Sequence, residues 1–170
     1  MIKKIAITGP ESTGKTELAK QLAKYYNTIW VPEFSREYID KINRPYDYDD
    51  IIEIAQEQLN REKEAEINAN KFLFCDTELI VTKIWSEFKY QKCHPWILKN
   101  IEEHKYDLFL LCNIDIPWKF DKLREHRDKR KELFNLYFIE LSVRKFPFEV
   151  ISELGEKRML NAIKSIEAHM

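Results

Sequence analysis

Residues 9–16, Gly9-Pro10-Glu11-Ser12-Thr13-Gly14-Lys15-Thr16, fit the pattern G-x-x-x-x-G-K-[ST] and sit between an apolar run and a helical one. A backbone that wraps an anion with its own N–H groups must turn tightly, and glycine turns without a Cβ penalty. The chain has three glycines and places two of them here. Upstream, residues 2–8 (Ile-Lys-Lys-Ile-Ala-Ile-Thr) read as a short strand; downstream, Leu18, Ala19, Leu22, Ala23, Tyr25 and Tyr26 recur at helical spacing over 15–26. Strand, glycine loop and helix start, in that order, make a phosphate-binding loop, where free N–H groups and the positive end of the helix dipole meet the anion. Gly9, Glu11, Ser12, Thr13, Gly14, Lys15 and Thr16 are therefore the expected nucleotide-binding residues. Lys15 would reach the β- and γ-phosphates of ATP, and the Thr16 hydroxyl would ligate Mg2+.

At 170 residues with 44% hydrophobic content, the chain has enough apolar side chains for one core, and residues 1–170 are expected to form a single domain. A net charge of −1 gives no overall attraction to nucleic acid or to an anionic membrane, so neither is an expected partner. The apolar run after the N-terminal lysines is only Ile5-Ala6-Ile7, too short for a secretory signal. No stretch approaches the roughly 20 apolar residues of a membrane span, and a cytoplasmic protein is expected. Cys75, Cys93 and Cys112 are odd in number and contain no C-x-x-C pair, which argues against a disulfide framework or a zinc site. Strand-like runs recur at 2–8, 28–32, 71–75, 106–113 and 148–151, with helical patterns at 48–68, 78–89, from Pro95, and 156–168. This alternation predicts an α/β fold of the phosphate-loop NTPase type, a parallel five-stranded sheet with helices on both faces.

Further candidates follow the strands, where open α/β sheets bind ligands. Residues 71–76 end a buried-type strand on Asp76, which would hold Mg2+ or accept a proton. Glu78 is either a second substrate-side acid or a carboxylate favoured by a helix N-terminus. After the second strand, Glu33 reads as a substrate-contacting acid or general base, or as a helix-capping carboxylate. Arg36 reads as a substrate clamp, or as an ion-pair partner of Glu33 or Asp40. Arg124, Arg127 and Arg130 are three apart in the basic run 119–131, so a helical turn would align them as a lid over the triphosphate. The alternative is a solvated helix laced by Arg124/Asp128 and Glu125/Lys129 pairs.

Taken together, Gly-Pro-Glu-Ser-Thr-Gly-Lys-Thr, Trp-Val-Pro-Glu-Phe-Ser-Arg-Glu-Tyr, Cys-Asp-Thr-Glu, His-Pro and Pro-Trp-Lys-Phe-Asp-Lys-Leu-Arg resemble the ribosylnicotinamide kinase domains of the NadR family. The resemblance spans nearly the whole chain. It implies transfer of the ATP γ-phosphate to the 5′-hydroxyl of nicotinamide riboside, an NAD-salvage step. By position it assigns Gly14, Lys15 and Thr16 to the phosphate loop, Asp76 to the Asp-Thr-acid motif, Glu33 and Arg36 to the Glu-x-x-Arg-Glu segment, and Arg124 to the lid. It also implies aromatic stacking on the nicotinamide ring, for which Trp30, Tyr38, Tyr46 and Trp85 are the candidates. Because the first strand starts at residue 2, the adenylyltransferase and helix-turn-helix segments of longer family members are expected to be absent. The residues alone leave open a kinase of another nucleoside or metabolite alcohol, and an ATP-binding switch module.

Overall fold

Runs of branched and aromatic residues become five strands: β1 (Lys3–Thr8), β2 (Trp30–Val31), β3 (Phe72–Asp76), β4 (Leu108–Cys112) and β5 (Phe148–Ile151). The computed structural model describes residues 1–121 and 124–170; Lys122 and Leu123, inside the basic run read as a lid, lie outside the described residues. All four strand pairings are parallel, in the order β2-β3-β1-β4-β5. Between them run α1 (Lys15–Tyr25), α2 (Phe34–Ile42), α3 (Tyr48–Glu66), α4 (Leu79–Tyr90), α5 (Pro95–Glu103), α6 (Arg130–Val143) and α7 (Gly155–His169). Alternating strand residues divide the core into two layers, as the period of two requires. Ile5, Ile7, Phe72, Phe74, Leu108 and Leu110 pack with α1 and α7, while Ala6, Leu73, Cys75, Phe109 and Leu111 pack with α3 to α6. This is the phosphate-loop α/β fold that the sequence pattern predicts. Among the described residues, no helix is long and apolar enough to cross a membrane.

Two helices go beyond the sequence reading. Helix α2 occupies 34–42, where residues were read for their chemistry, and ends on Asn43 in the left-handed region. Helix α6 carries apolar residues around its whole circumference: Leu133, Tyr137 and Leu141 are buried, yet Leu136, Ile139 and Val143 face outward. It shows no stripe for a periodicity argument to find. Strand β4 begins at Leu108 rather than 106, and Tyr106 instead gives its hydroxyl to the buried Glu62 carboxylate at 3.0 and 2.8 Å. His94, next to Cys93, caps α5 by accepting the Trp96 N–H at 3.1 Å, and among the described residues no three His, Cys, Asp or Glu side chains gather as metal ligands.

The connection from β1 runs toward β2 and the one from its neighbour β3 runs the other way to β4, so a crevice opens between the carboxyl ends of β1 and β3. The register pairs Ile7 with Asp76, and the Thr77 N–H donates to the Ile7 carbonyl at 3.0 Å. The phosphate loop and Asp76 are thus neighbours by strand pairing alone.

Candidate active site

The loop after β1 has the backbone its glycines allow. Gly9 has φ 128°, and a Cβ there would meet the Cys112 carbonyl oxygen at 2.9 Å. Gly14, at φ 76°, is the residue from which α1 starts. Lys15 Nζ arches back over the loop to donate to the carbonyls of Gly9 and Pro10 at 2.9 and 2.8 Å, and Thr13 Oγ1 donates to Pro10 at 2.8 Å. A residue the sequence reading passed over braces this loop from behind. Arg158 of α7 is 4% exposed and donates to the carbonyls of Thr13 and Asn113 at 2.8 and 3.0 Å, with its other nitrogen on Asp115 at 2.8 Å. Its one sequence signal is that it stands in register with Ala162 and Ile166 on the buried stripe of α7.

Asp76 is fully buried at the end of β3, and its Oδ2 accepts the Thr16 hydroxyl at 2.5 Å. Burial and the nearby Glu33 carboxylate push its carboxyl up to about 6, against the Thr16 hydrogen bond and the charges of Lys15 and Arg36. Its Oδ1 has no hydrogen-bond partner among the described residues. A buried carboxylate oxygen left over beside a hydroxyl, at the mouth of a phosphate loop, is a hard-oxygen donor set suited to Mg2+ with phosphate and water completing the shell.

Glu78 resolves differently from a substrate-side acid. Thr77 has φ 68°. Glu78 then caps α4, accepting the Ile80 N–H at 2.5 Å and the Thr8 hydroxyl at 2.8 Å. It is 2% exposed and borders neither site cavity. Complete burial pushes its carboxyl up to about 7 against those hydrogen bonds. In the unfolded chain it ionises near 4.5, so it favours the fold below that value, and this contribution is lost as pH rises through about 7. Each tenfold difference in proton affinity between the folded and unfolded chain corresponds to about 1.4 kcal/mol, so stability should fall by a few kcal/mol between pH 4.5 and 8. Glu78→Gln should flatten that fall in urea titrations run across the window; a pH curve identical to the parent's would show that Glu78 does not titrate there. Glu37 and Asp50, both lowered to about 2 by hydrogen bonds from arginine, act in the opposite sense but only below about pH 4.

Two cavities meet over these groups. The larger, about 700 Å3, runs from the phosphate loop past Glu33 and Arg36 to a wall of Tyr46, Trp85 and Phe88. The smaller, about 340 Å3, is bordered by Trp30, Asp76 and Asp121 and shares Thr16, Glu33, Arg36 and Arg124 with the first. Glu33 is the residue preceding α2, but its carboxylate caps no N–H of that helix; it accepts the Ser35 hydroxyl at 2.5 Å and lies 3.7 Å from Arg36. Arg36 also donates to Asp121 at 2.9 Å. Of the four candidate aromatics, Tyr38 is turned away: its hydroxyl donates to Asp50 and Glu53, tying α2 to α3, and it borders neither cavity. Trp30 borders the smaller cavity. Tyr46 and Trp85 form the aromatic wall, their rings 4.9 Å apart edge to face, with Trp85 Nε1 donating to the Tyr46 hydroxyl at 3.0 Å. Both lie far in sequence from Glu33, so only the fold brings them to it.

Arg124, Arg127 and Arg130 do not share the helical turn that their spacing predicts. A 3-10 turn spans Arg127–Lys129, α6 starts at Arg130, and the described residues before the turn are irregular. Arg124 borders both cavities and donates to the Lys119 carbonyl at 2.6 Å and to Ser12 Oγ at 3.4 Å. Arg127 is exposed and borders neither. Arg130 instead reaches the loop, donating to the Ser12 and Ile116 carbonyls at 3.1 and 2.9 Å. The solvated-helix alternative fails as well, since Glu125 pairs with Lys89, and Lys129 with Glu132.

Phosphate loop, buried acid at the end of β3 and a roofed cavity over the carboxyl ends of a parallel sheet define a nucleotide-binding α/β domain. The chain belongs to the AAA domain family, which matches residues 4–158. Over 99% of its length it is 30% identical to the trifunctional NAD biosynthesis/regulator protein NadR of Escherichia coli (strain K12), of which it covers 43%. It thus spans less than half of that relative. A crystal structure of NadR protein in complex with NR superposes with a TM-score of 0.85 at 22% identity, covering 99% of this chain and 50% of that one. A crystal structure of NadR protein in complex with NAD and AMP-PNP gives 0.81 at 22% identity, covering 99% and 49%. These superpositions establish the fold.

Proposed function

We propose that this domain is an ATP- and Mg2+-dependent kinase that phosphorylates the 5′-hydroxyl of nicotinamide riboside, giving nicotinamide mononucleotide. The observation that carries the reading is the single cavity joining the phosphate loop to the Tyr46–Trp85 wall by way of Glu33. An aromatic face suits a cationic pyridinium ring, and cation–π attraction there contributes about 0.5–2 kcal/mol. The likeness to NadR over the whole of this chain supports the same acceptor. Thr16 and Asp76 would hold Mg2+, which when bound neutralises charge on the β- and γ-phosphates. Lys15 and Arg124 stabilise charge on the transferring phosphoryl group. Glu33 accepts the proton of the 5′-hydroxyl as its oxygen bonds to the γ-phosphorus and the bond to ADP breaks. Arg36 holds Glu33 in that orientation.

The test is an acceptor panel of nicotinamide riboside and common nucleosides, with ATP and Mg2+, read by mass spectrometry. Nicotinamide mononucleotide should be the main product; preference for another nucleoside would refute the acceptor assignment. Thermal stabilisation by ATP with no phosphorylated product would instead support the switch-module reading. The arginines give a second check. Arg124→Ala should lower kcat at least tenfold, whereas Arg127→Ala, exposed and away from the cavities, should stay within about twofold, less than 0.5 kcal/mol. Steady-state kinetics that reversed this order would return Arg127 to the lid.

A further inference from the structure

Glu11 is a carboxylate in a loop built to receive a polyanion, where a negative side chain facing the phosphates would be repelled. It faces the covering segment instead. Its two oxygens accept the backbone N–H groups of Glu125 and His126 at 3.3 and 3.2 Å, and His126 Nδ1 lies 3.3 Å from it. Charged acceptors make the stronger hydrogen bonds. The Glu125–His126 pair reaches the aromatic end of the cavity from its other side. The Glu125 carboxylate accepts the Tyr46 hydroxyl at 3.0 Å and the Lys89 ammonium at 3.3 and 3.4 Å. Tyr46 in turn accepts from Trp85, and the His126 ring stands edge-on to Phe88 at 4.9 Å.

We propose that Glu11 is a positioning residue for the acceptor nucleoside, fixing Glu125 and His126 and through them the Tyr46–Trp85 wall. The inference rests on the kinase reading above and adds to it that one phosphate-loop side chain serves the second substrate. Steady-state kinetics with both substrates varied, on Glu11→Ala, Glu125→Ala and the double variant, test it. Glu11→Ala should raise KM for the nucleoside at least fivefold, and by more than it raises KM for ATP. Glu125→Ala should raise the same KM, and the double variant should go no higher than the larger single, because both changes cut one connection. Glu11→Gln, which keeps an accepting oxygen, should fall between Glu11→Ala and the parent.

An ATP KM that rises as much as the nucleoside KM, or single effects that multiply in the double variant, would overturn the proposal. Should Glu11→Ala not fold, a nucleoside KM unmoved by Glu125→Ala overturns it equally. Lack of turnover by the unsubstituted protein refutes the kinase reading alone. In that case calorimetric nucleoside Kd values, measured for parent and variants with AMP-PNP present, make the same comparison.

Discussion

Replacing Lys15 by alanine should leave a folded protein whose turnover has dropped by about 10²–10³, the usual loss when one donor aimed at developing transition-state charge is removed. The side chain already lies across the loop, on the carbonyls of Gly9 and Pro10, where the proposed reaction would bring the terminal phosphates. It takes no part in either apolar layer, and its removal leaves the sheet packing untouched. Circular dichroism and thermal unfolding should therefore match the parent while kcat falls. Turnover within tenfold of the parent would mean that the loop does not act on the transferred phosphoryl group.

Asp76→Asn should produce the second large effect, and in two opposite directions. If Asp76 holds Mg2+ as proposed, removing its carboxylate forfeits charge stabilisation worth several kcal/mol, which corresponds to about a 10³-fold loss of Mg2+-dependent turnover. The same change removes a buried carboxylate that is pushed up to about 6 and whose Oδ1 has no partner among the described residues. A carboxylate raised in the fold loses its stabilising contribution as pH climbs through that value, so at pH 8 the neutral amide should be the more stable of the two. Urea unfolding at pH 8 with chelator, beside kcat at saturating Mg2+, separates the effects. A variant that keeps turnover to within tenfold removes Asp76 from the metal site. One that is less stable than the parent shows that the carboxylate is not under strain.

The parts of this site that a reader of the sequence finds are those made by neighbouring residues. The phosphate loop is a local turn between a strand and a helix, and Asp76 ends an apolar run, so both are legible from spacing. Glu78 is not, because two residues after a strand end both orientations are open to an acid; here it turns inward to Thr8. Tyr38 and Tyr46 look alike as candidates, yet α2 directs the first toward Asp50 and the second faces Trp85. Arg127 and Arg130 differ only in that one falls in a 3-10 turn and the other starts α6, a boundary that helical spacing cannot locate. Arg158 and the Glu11 contacts join residues more than a hundred positions apart, and no local pattern encodes them.

Arg158 has a consequence for how the protein is made. Ribosomes release the phosphate loop early, with β1, but its carbonyl at Thr13 waits for a guanidinium 145 residues later. Until α7 has left the exit tunnel and docked, the loop lacks its brace. The closing of the phosphate loop is thereby tied to the arrival of α7, and a nascent chain halted between β5 and α7 would carry the loop without that support.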